Sequence, residues 1–396
     1  MPSLAAVVRL LSSFGLTTII LLFLCLLTVV GTYAQETLGL HGAQKKYFDA
    51  WFVVQEVIGP VRVPLPGGQL LLAVLAINLV VGGILRLKRS KNTVGILIAH
   101  LGIVLLLAAG FVKYYDGSDG YLALYEGEQA NYFESHYEWE LAITRALPDG
   151  RLEERLVPYE DLLGARGDRR RTFTAADLPF DLELSGFQRN SMVRPKGPMF
   201  EVDVPVVDGF YLEPRPDAVE AEQNLAGVYA TAVEPGGEQR HEALLWGFES
   251  SPSSSYWAPF TFEIDGERWA LDLRQKRFAL PFSIQVDDFR AEFHPRTMIA
   301  STYESSITKY EGDVVQPQII RMNEPLRHDD YVMYQSSYGP SNARPGQRMY
   351  TVFAVVRNPS DQWPKWACWV IFIGLAIHFV QKLGRHIRSE AKKAVA

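Results

Sequence analysis

The stretch from Asn92 to Tyr114, NTVGILIAHLGIVLLLAAGFVKY, is long and apolar enough to cross a bilayer, which takes roughly 20 such residues. One ionisable side chain, His100, stands inside it. A histidine at that depth loses its water and needs a partner, so it marks a functional position by default. Three further segments have the same character: Leu10–Tyr33, Gln69–Leu85 and Trp366–Val380. With Thr93–Val112 they make four spans in a 396-residue chain that is 48% hydrophobic. A long polar stretch separates the third span from the fourth. The expected architecture is therefore membrane α plus β, organised as three parts. Residues 1–114 hold three transmembrane helices and a short outer interfacial segment. Residues 115–364 form a large extracytoplasmic domain, and residues 365–396 form the fourth helix and a basic tail.

Charge placement sets the orientation. Lysine and arginine gather in cytoplasmic loops. The link between the second and third spans carries Arg86, Lys88, Arg89 and Lys91 with no acid, and the tail carries Lys382, Arg385, Arg388, Lys392 and Lys393 against Glu390. Both are expected in the cytoplasm, which places the large domain outside. Residues 1–114 hold 9 Lys+Arg and 3 Asp+Glu, and residues 365–396 hold 6 and 1; with a chain total of −6, the stretch between carries −17. So acidic a domain repels nucleic acid, and that partner class is set aside. The first span has a second reading. Arg9, the apolar run and Thr32-Tyr33-Ala34 resemble a signal peptide with a cleavage site, but the run exceeds the usual apolar core of about 7–15 residues, which favours a retained span.

Two cysteines, Cys25 and Cys368, fall in or beside spans, so no disulfide framework holds the domain and no CxxC pair serves a thiol relay. Both read as small membrane-packing residues. After the first span, Tyr47, Phe48, Trp51 and Phe52 fall on adjacent helical positions before Pro60, Pro64 and Pro66. This predicts a helix lying in the outer interface, or else a segment packed on the domain.

In the third span, Gly95, Ala99 and Gly102 form a small-residue face that lets another helix approach closely. His100 points away from it with Ile96, Val104 and Leu107. An apolar slot with one nitrogen ligand suits a haem edge; it equally suits a histidine bonded to a neighbouring helix. The residues alone leave both open.

The polar stretch reads as antiparallel β, sandwich-like. Phe180–Phe187, Phe200–Val207, Tyr256–Leu273, Phe282–Phe293 and Met349–Val356 alternate apolar with polar residues, and turns at Pro148-Asp149-Gly150 and Asp265-Gly266 break the pattern. Pro158–Leu163 allows one short helix. Leu178-Pro179-Phe180 and Leu280-Pro281-Phe282 open similar strand patterns at an offset of 102, and Phe200-Glu201 matches Tyr303-Glu304 at 103, which predicts two related β units. No catalytic constellation appears: there is no GxSxG, HExxH or phosphate-binding glycine loop, and His136, His241, His294 and His328 lack metal-ligand spacing.

Several stretches together resemble the ResB (CcsB) proteins of System II cytochrome c maturation. They are Gly31-Thr32, Ile98-Ala99-His100-Leu101-Gly102, Tyr125-Glu126-Gly127-Glu128, the LPF strand at Leu280, and Met322-Asn323-Glu324-Pro325-Leu326 leading to Tyr331 and Tyr334-Gln335-Ser336-Ser337-Tyr338. Asn358-Pro359-Ser360 departs from the Asp-Pro-Gly that the family tends to carry. The resemblance implies an inner (plasma) or thylakoid-type membrane and a ResC (CcsA)-type partner bearing a tryptophan-rich loop. It implies haem b shared with that partner, carried across the membrane and presented for covalent attachment to apocytochrome c. The chain would be a non-catalytic subunit of the synthase, and the family's intramembrane histidine maps onto His100. His100 lies about 13 Å beyond Lys91, whereas His378 lies about 6 Å before Lys382. That mismatch of roughly one turn favours an axial ligand on the partner, with His378 as the in-chain alternative. A rival reading is a scaffold or chaperone that binds apocytochrome or assembles a membrane complex without haem.

Overall fold

A computed structural model describes residues 4–58, 61–197, 201–236, 239–248, 259–295, 300–340 and 348–395. It divides into two compact units. One comprises residues 1–118, 327–332 and 356–396, and the other residues 119–326 and 333–355.

The first unit is helical. Helix α1 (Leu4–Leu11) breaks at Ser12-Ser13, where the Ser13 hydroxyl accepts from the Leu16 amide and caps α2 (Phe14–Ala43). Gly39 leaves helical geometry with φ 68°, and α2 ends in a π turn, Gln44–Phe48. Strands β1 (Phe52–Ile58) and β2 (Val61–Pro66) then form an antiparallel hairpin. The interfacial helix expected from Lys45 to Gly59 is thus confined to its first residues. Prolines at 60, 64 and 66 and the β-branched run around Val53-Val54 favour extended backbone. Of the aromatic residues, Tyr47 is buried with Val53, Ile20, Leu27 and Leu71 and Phe48 packs against Gly31, whereas Trp51 and Phe52 are exposed.

Helix α3 (Gly68–Asn78) runs into a second π turn, Leu79–Leu85. Helix α4 (Val94–Asp116) follows, and the final α6 is introduced below. Together the helical stretches Phe14–Phe48, Gly68–Leu85, Val94–Asp116 and Trp363–Ala394 are long and apolar enough to cross a membrane, as the spans predicted. Cys25 and Cys368 are free and exposed on the helices.

The second unit is β. Its strands are β3 (Ser118–Tyr125), β4 (Gln129–Ala146), β5 (Leu152–Val157), then helix α5 (Tyr159–Gly164), β6 (Arg170–Phe173), β7 (Asp181–Gln188), β8 (Ser191–Pro195), β9 (Phe210–Pro214), β10 (Gly227–Val233), β11 (Arg240–Trp246), β12 (Phe260–Ile264), β13 (Glu267–Phe293), β14 (Ala300–Glu311), β15 (Val314–Arg321), β16 (Leu326–His328), β17 (Tyr331–Gly339) and β18 (Tyr350–Arg357). Helix α6 (Trp363–Val395) closes the chain. One sheet has the order β11-β10-β7-β6. The other runs β15-β14-β13-β4-β3-β18-β17-β16, with β12 and β5 attached to β13 and β4.

Alternation explains the sandwich. Leu271 and Leu273 of β13 and Leu141 and Ile143 of β4 face Leu182, Leu184, Val228 and Ala230 of the smaller sheet in one core. The opposite face of the same strands carries charge. There Arg274 bonds its cross-strand neighbour Glu140 at 3.0 Å and grips Glu154 through both terminal nitrogens at 2.8 and 2.9 Å. These bonds hold the Glu154 carboxyl below its ordinary value. Burial pushes neighbouring Asp272 above its own, outweighing Arg274 and Arg277.

The larger sheet curls until β14 meets β17 and β18. The Ser305 hydroxyl lies 2.7 Å from Gln335 Oε1 and 3.0 Å from Thr351 Oγ1, and Gln335 Nε2 donates to Thr351 Oγ1 at 2.6 Å, all three residues buried. A buried polar set of this kind is stable only when every member is satisfied.

The two LPF strands fall in separate sheets, as two β units require, but in unlike surroundings. Phe180 sits edge-on to Phe262 and Trp269, each with centroids 5.2 Å away. Phe282 lies under the buried Lys309 ammonium, 5.6 Å from its ring. Pro281 occurs where the register of β13 on β4 shifts between Ala279 and Ile284, a place where a missing N–H costs no ladder bond. The second half of the repeat fails: residues 201–206 form no strand, whereas Tyr303 and Glu304 sit in β14. Phe200 and the Glu249–Tyr256 loop lie outside the described residues. Tyr256–Leu273 resolves into β12, the Asp265-Gly266 turn and the start of β13.

Two outcomes follow from this packing. Phe180→Ala should destabilise the β unit by about 3–5 kcal/mol, read from chemical denaturation, because its ring is only 2% exposed. Glu154 has a depressed folded value, so its contribution is complete above its ordinary 4.5 and is lost as pH falls through the lower folded value. Its side chain is 40% exposed, and solvent screening limits the loss in Glu154→Gln to about 1 kcal/mol. Denaturation of the two proteins should differ at neutral pH and converge in acid.

Candidate functional site

The small-residue face of α4 packs on α6. A Cβ on Gly95 would stand 2.6 Å from the Gly374 carbonyl and from the His378 amide, and one on Gly102 would stand 2.9 Å from the Ile371 amide. The two backbones therefore touch, which only glycine permits. Farther along, the Ser360 hydroxyl lies 2.8 Å from the Ala109 carbonyl. Asn358 Oδ1 accepts from the Ser360 amide at 3.0 Å, and Asp361 pairs with Arg327 at 2.8 Å. The Asn-Pro-Ser segment thus shapes the entry to α6 through an amide side chain.

His100 faces α3 instead. Its Nδ1 lies 2.8 Å from the Gly83 carbonyl. A carbonyl can only accept, so Nδ1 carries the proton and, in the neutral ring, Nε2 keeps its lone pair. Gly83 is part of the π turn, near its end, where carbonyls lack partners within the helix. A Cβ there would come within 2.6 Å of Nδ1, so the ring needs glycine opposite it.

The other side of that π turn is clamped. Asn78 is buried in the middle of a span, and its amide nitrogen donates to the carbonyls of Leu11 at 2.8 Å and Ser13 at 3.2 Å. Its Oδ1 accepts from the Thr17 hydroxyl at 2.7 Å. Gly82 abuts the Ser12 backbone, and Arg86 donates to the Ser12 hydroxyl at 2.6 Å. The Ser12-Ser13 break between α1 and α2, whose open carbonyls need donors in lipid, thereby fixes one face of the turn while Gly83 presents its carbonyl on another. Neither the turn nor the clamp has a periodic signature. A lone asparagine in an apolar run was the one sequence signal for them.

His378 is not brought onto the His100 face. It abuts Gly95, five residues before His100 on α4, which is about 140° around the helix and 7.5 Å along it. Its Nδ1 is buried and has no hydrogen-bond partner among the described residues. His100 fits the requirements for a haem ligand: an imidazole in an apolar span whose Nδ1 is held by a carbonyl, so that Nε2 is oriented. Among the described residues no group of three or more His, Cys, Asp or Glu is placed to hold a metal ion without such a cofactor.

The sequence motifs of the β unit converge elsewhere. The Tyr125–Glu128 turn docks on β13: the Gly127 amide donates to Val286 O at 2.6 Å and Glu126 Oε1 accepts from the Phe289 amide at 3.1 Å. The rings of Phe289 and Tyr303 lie tilted against Tyr338, and Gln335 closes the sheet as described above. These residues hold strands together and converge on no reactive group.

Residues 270–345 match the model of the ResB-like family. The match runs from within β13 through β17 and includes none of the helices. No curated protein matches the chain.

Gly83→Ala should displace the His100 ring and break its bond to the carbonyl. In ¹⁵N spectra of the labelled ring the Nδ1–H tautomer should give way to the Nε2–H form; an unchanged spectrum would show that the backbone yields instead.

Proposed function

From the match of residues 270–345 to the ResB-like family and the resemblance of the other motifs to ResB (CcsB) proteins, we propose that this membrane protein works in cytochrome c biogenesis beside a ResC (CcsA)-type partner. It holds haem b at His100 within the membrane and helps present it for attachment to apocytochrome c. The observation that carries this reading is the Nδ1–Gly83 bond, which orients the ring inside a span and leaves Nε2 as the nitrogen that iron would take. A polar ring in lipid is costly, and here the carbonyl satisfies one nitrogen while iron would take the other. Bound haem supplies the vinyl groups that thioether formation consumes.

The chain's own residues do the holding. Gly83 fixes the tautomer, and Asn78 fixes the turn that carries Gly83. The α4–α6 contact at Gly95 and Gly102 fixes the helix that carries His100. A second ligand to the haem would come from the partner, because His378 stands on a different sector of the helix pair. The basic loop at 86–91 and the basic tail lie in the cytoplasm, and the acidic β unit lies on the other side, where apocytochrome is met.

The test is co-expression with the partner. His100→Ala should abolish the low-spin b-type spectrum and the yield of mature cytochrome c, and added imidazole should restore part of both. His378→Ala should retain them. Undiminished haem in His100→Ala would end the haem reading and leave a scaffold that binds apocytochrome or the partner without haem.

A further inference from the structure

We propose that the turn joining α3 to α4 is a binding site for an anionic amphipath, with an apolar body in a cleft and a carboxylate or phosphate head on Arg89. A cleft of about 330 Å³ opens between the end of the π turn and the first turns of α4. Ile84, Leu87, Val94 and Leu97 give it an apolar wall, and Arg89 and Thr93 stand at its rim. The Thr93 hydroxyl is already engaged: it accepts from the Ser90 amide at 3.0 Å and lies 2.7 Å from the Lys88 carbonyl. That fixes the shape of the turn and leaves Arg89 as the polar group open to a ligand. Arg86 is committed to Ser12 at 2.6 Å, while Arg89 has no ion pair among the described residues. The sequence holds no acid between Glu56 and Asp116 that could neutralise this loop.

The combination is selective. An alkyl chain alone leaves the guanidinium unused, and a free anion leaves the wall unused; a molecule with both features uses the whole site. Two sources share that chemistry, an acidic phospholipid and the carboxylate edge of haem. Leu97 lies three residues before His100, about 60° around α4, so the cleft and the imidazole occupy neighbouring sectors. Thr93 lies about 10 Å along the helix from His100. The haem source rests on the His100 reading, whereas the lipid source does not.

The full chain in phosphatidylcholine nanodiscs is titrated with haem and with haem dimethyl ester, which lacks the carboxylates. Arg89→Gln should weaken haem by about tenfold, the worth of one charge-assisted contact, and leave the ester unchanged. Lys91→Gln serves as the control for loop charge and should change neither. In nanodiscs doped with phosphatidylglycerol, native mass spectrometry should show one retained acidic lipid that Arg89→Gln or the cleft-filling Leu97→Trp releases. Acidic lipid that Arg89→Gln releases, in a chain whose haem binding His100→Ala leaves undiminished, would uphold the cleft while the haem reading fails. If neither Arg89→Gln nor Leu97→Trp alters haem binding or lipid retention, or if Lys91→Gln reproduces the effects of Arg89→Gln, the site does not exist.

Discussion

The helical unit depends on the contact of two backbones. Gly95 and Gly102 of α4 meet Gly374 and Ile371 of α6 at distances that leave no room for a Cβ. Lipid tails are as apolar as leucine, so helices in a membrane gain little by hiding side chains; they gain by packing closely and by satisfying polar groups on one another. This chain uses both. Glycines bring α4 and α6 together, and Asn78 draws α3 onto the break between α1 and α2. His100 lies where the two arrangements meet, on a helix fixed by the first and opposite a carbonyl fixed by the second.

The β unit solves a different problem, that of a large sheet with charge on one face. Burying Arg274 is tolerable because two carboxylates surround it, and burying Gln335 because Ser305 and Thr351 use its amide. Such sets add little stability over an apolar core, but a misregistered strand would leave several groups unpaired at once. Of the residues most distinctive in the sequence, Gln335 belongs to this closure and Tyr338 to its aromatic cover. Their pattern reports a fold, and the proposed chemistry lies in the helices.

The sequence was most legible where a single period dominates. The spans, the Gly95-Ala99-Gly102 face and the strands at 181–188 and 350–357 follow from apolar runs, small-residue spacing and alternation. It was least legible where tertiary partners decide. The aromatic run after α2 suits an amphipathic helix by composition, yet prolines and β-branched residues turn it into a hairpin. Residues 201–206 alternate like a strand but find no ladder to join. The π turn at 79–85 has no period of its own, and it exists because Asn78, Gly82 and Arg86 have a helix break to hold. The depth mismatch of His100 and His378 could be counted from flanking lysines, whereas the carbonyl opposite His100 could not.

The α4–α6 pair also bears on how the protein is made. Some 250 residues separate Asp116 from Trp363. At 5–20 residues per second a ribosome needs roughly 12–50 s to cross that interval. Throughout it α4 is in the membrane with its glycine face bare, while the β unit is still being synthesised. Lipid is the default neighbour of that face until α6 is made, and α6 must then displace it.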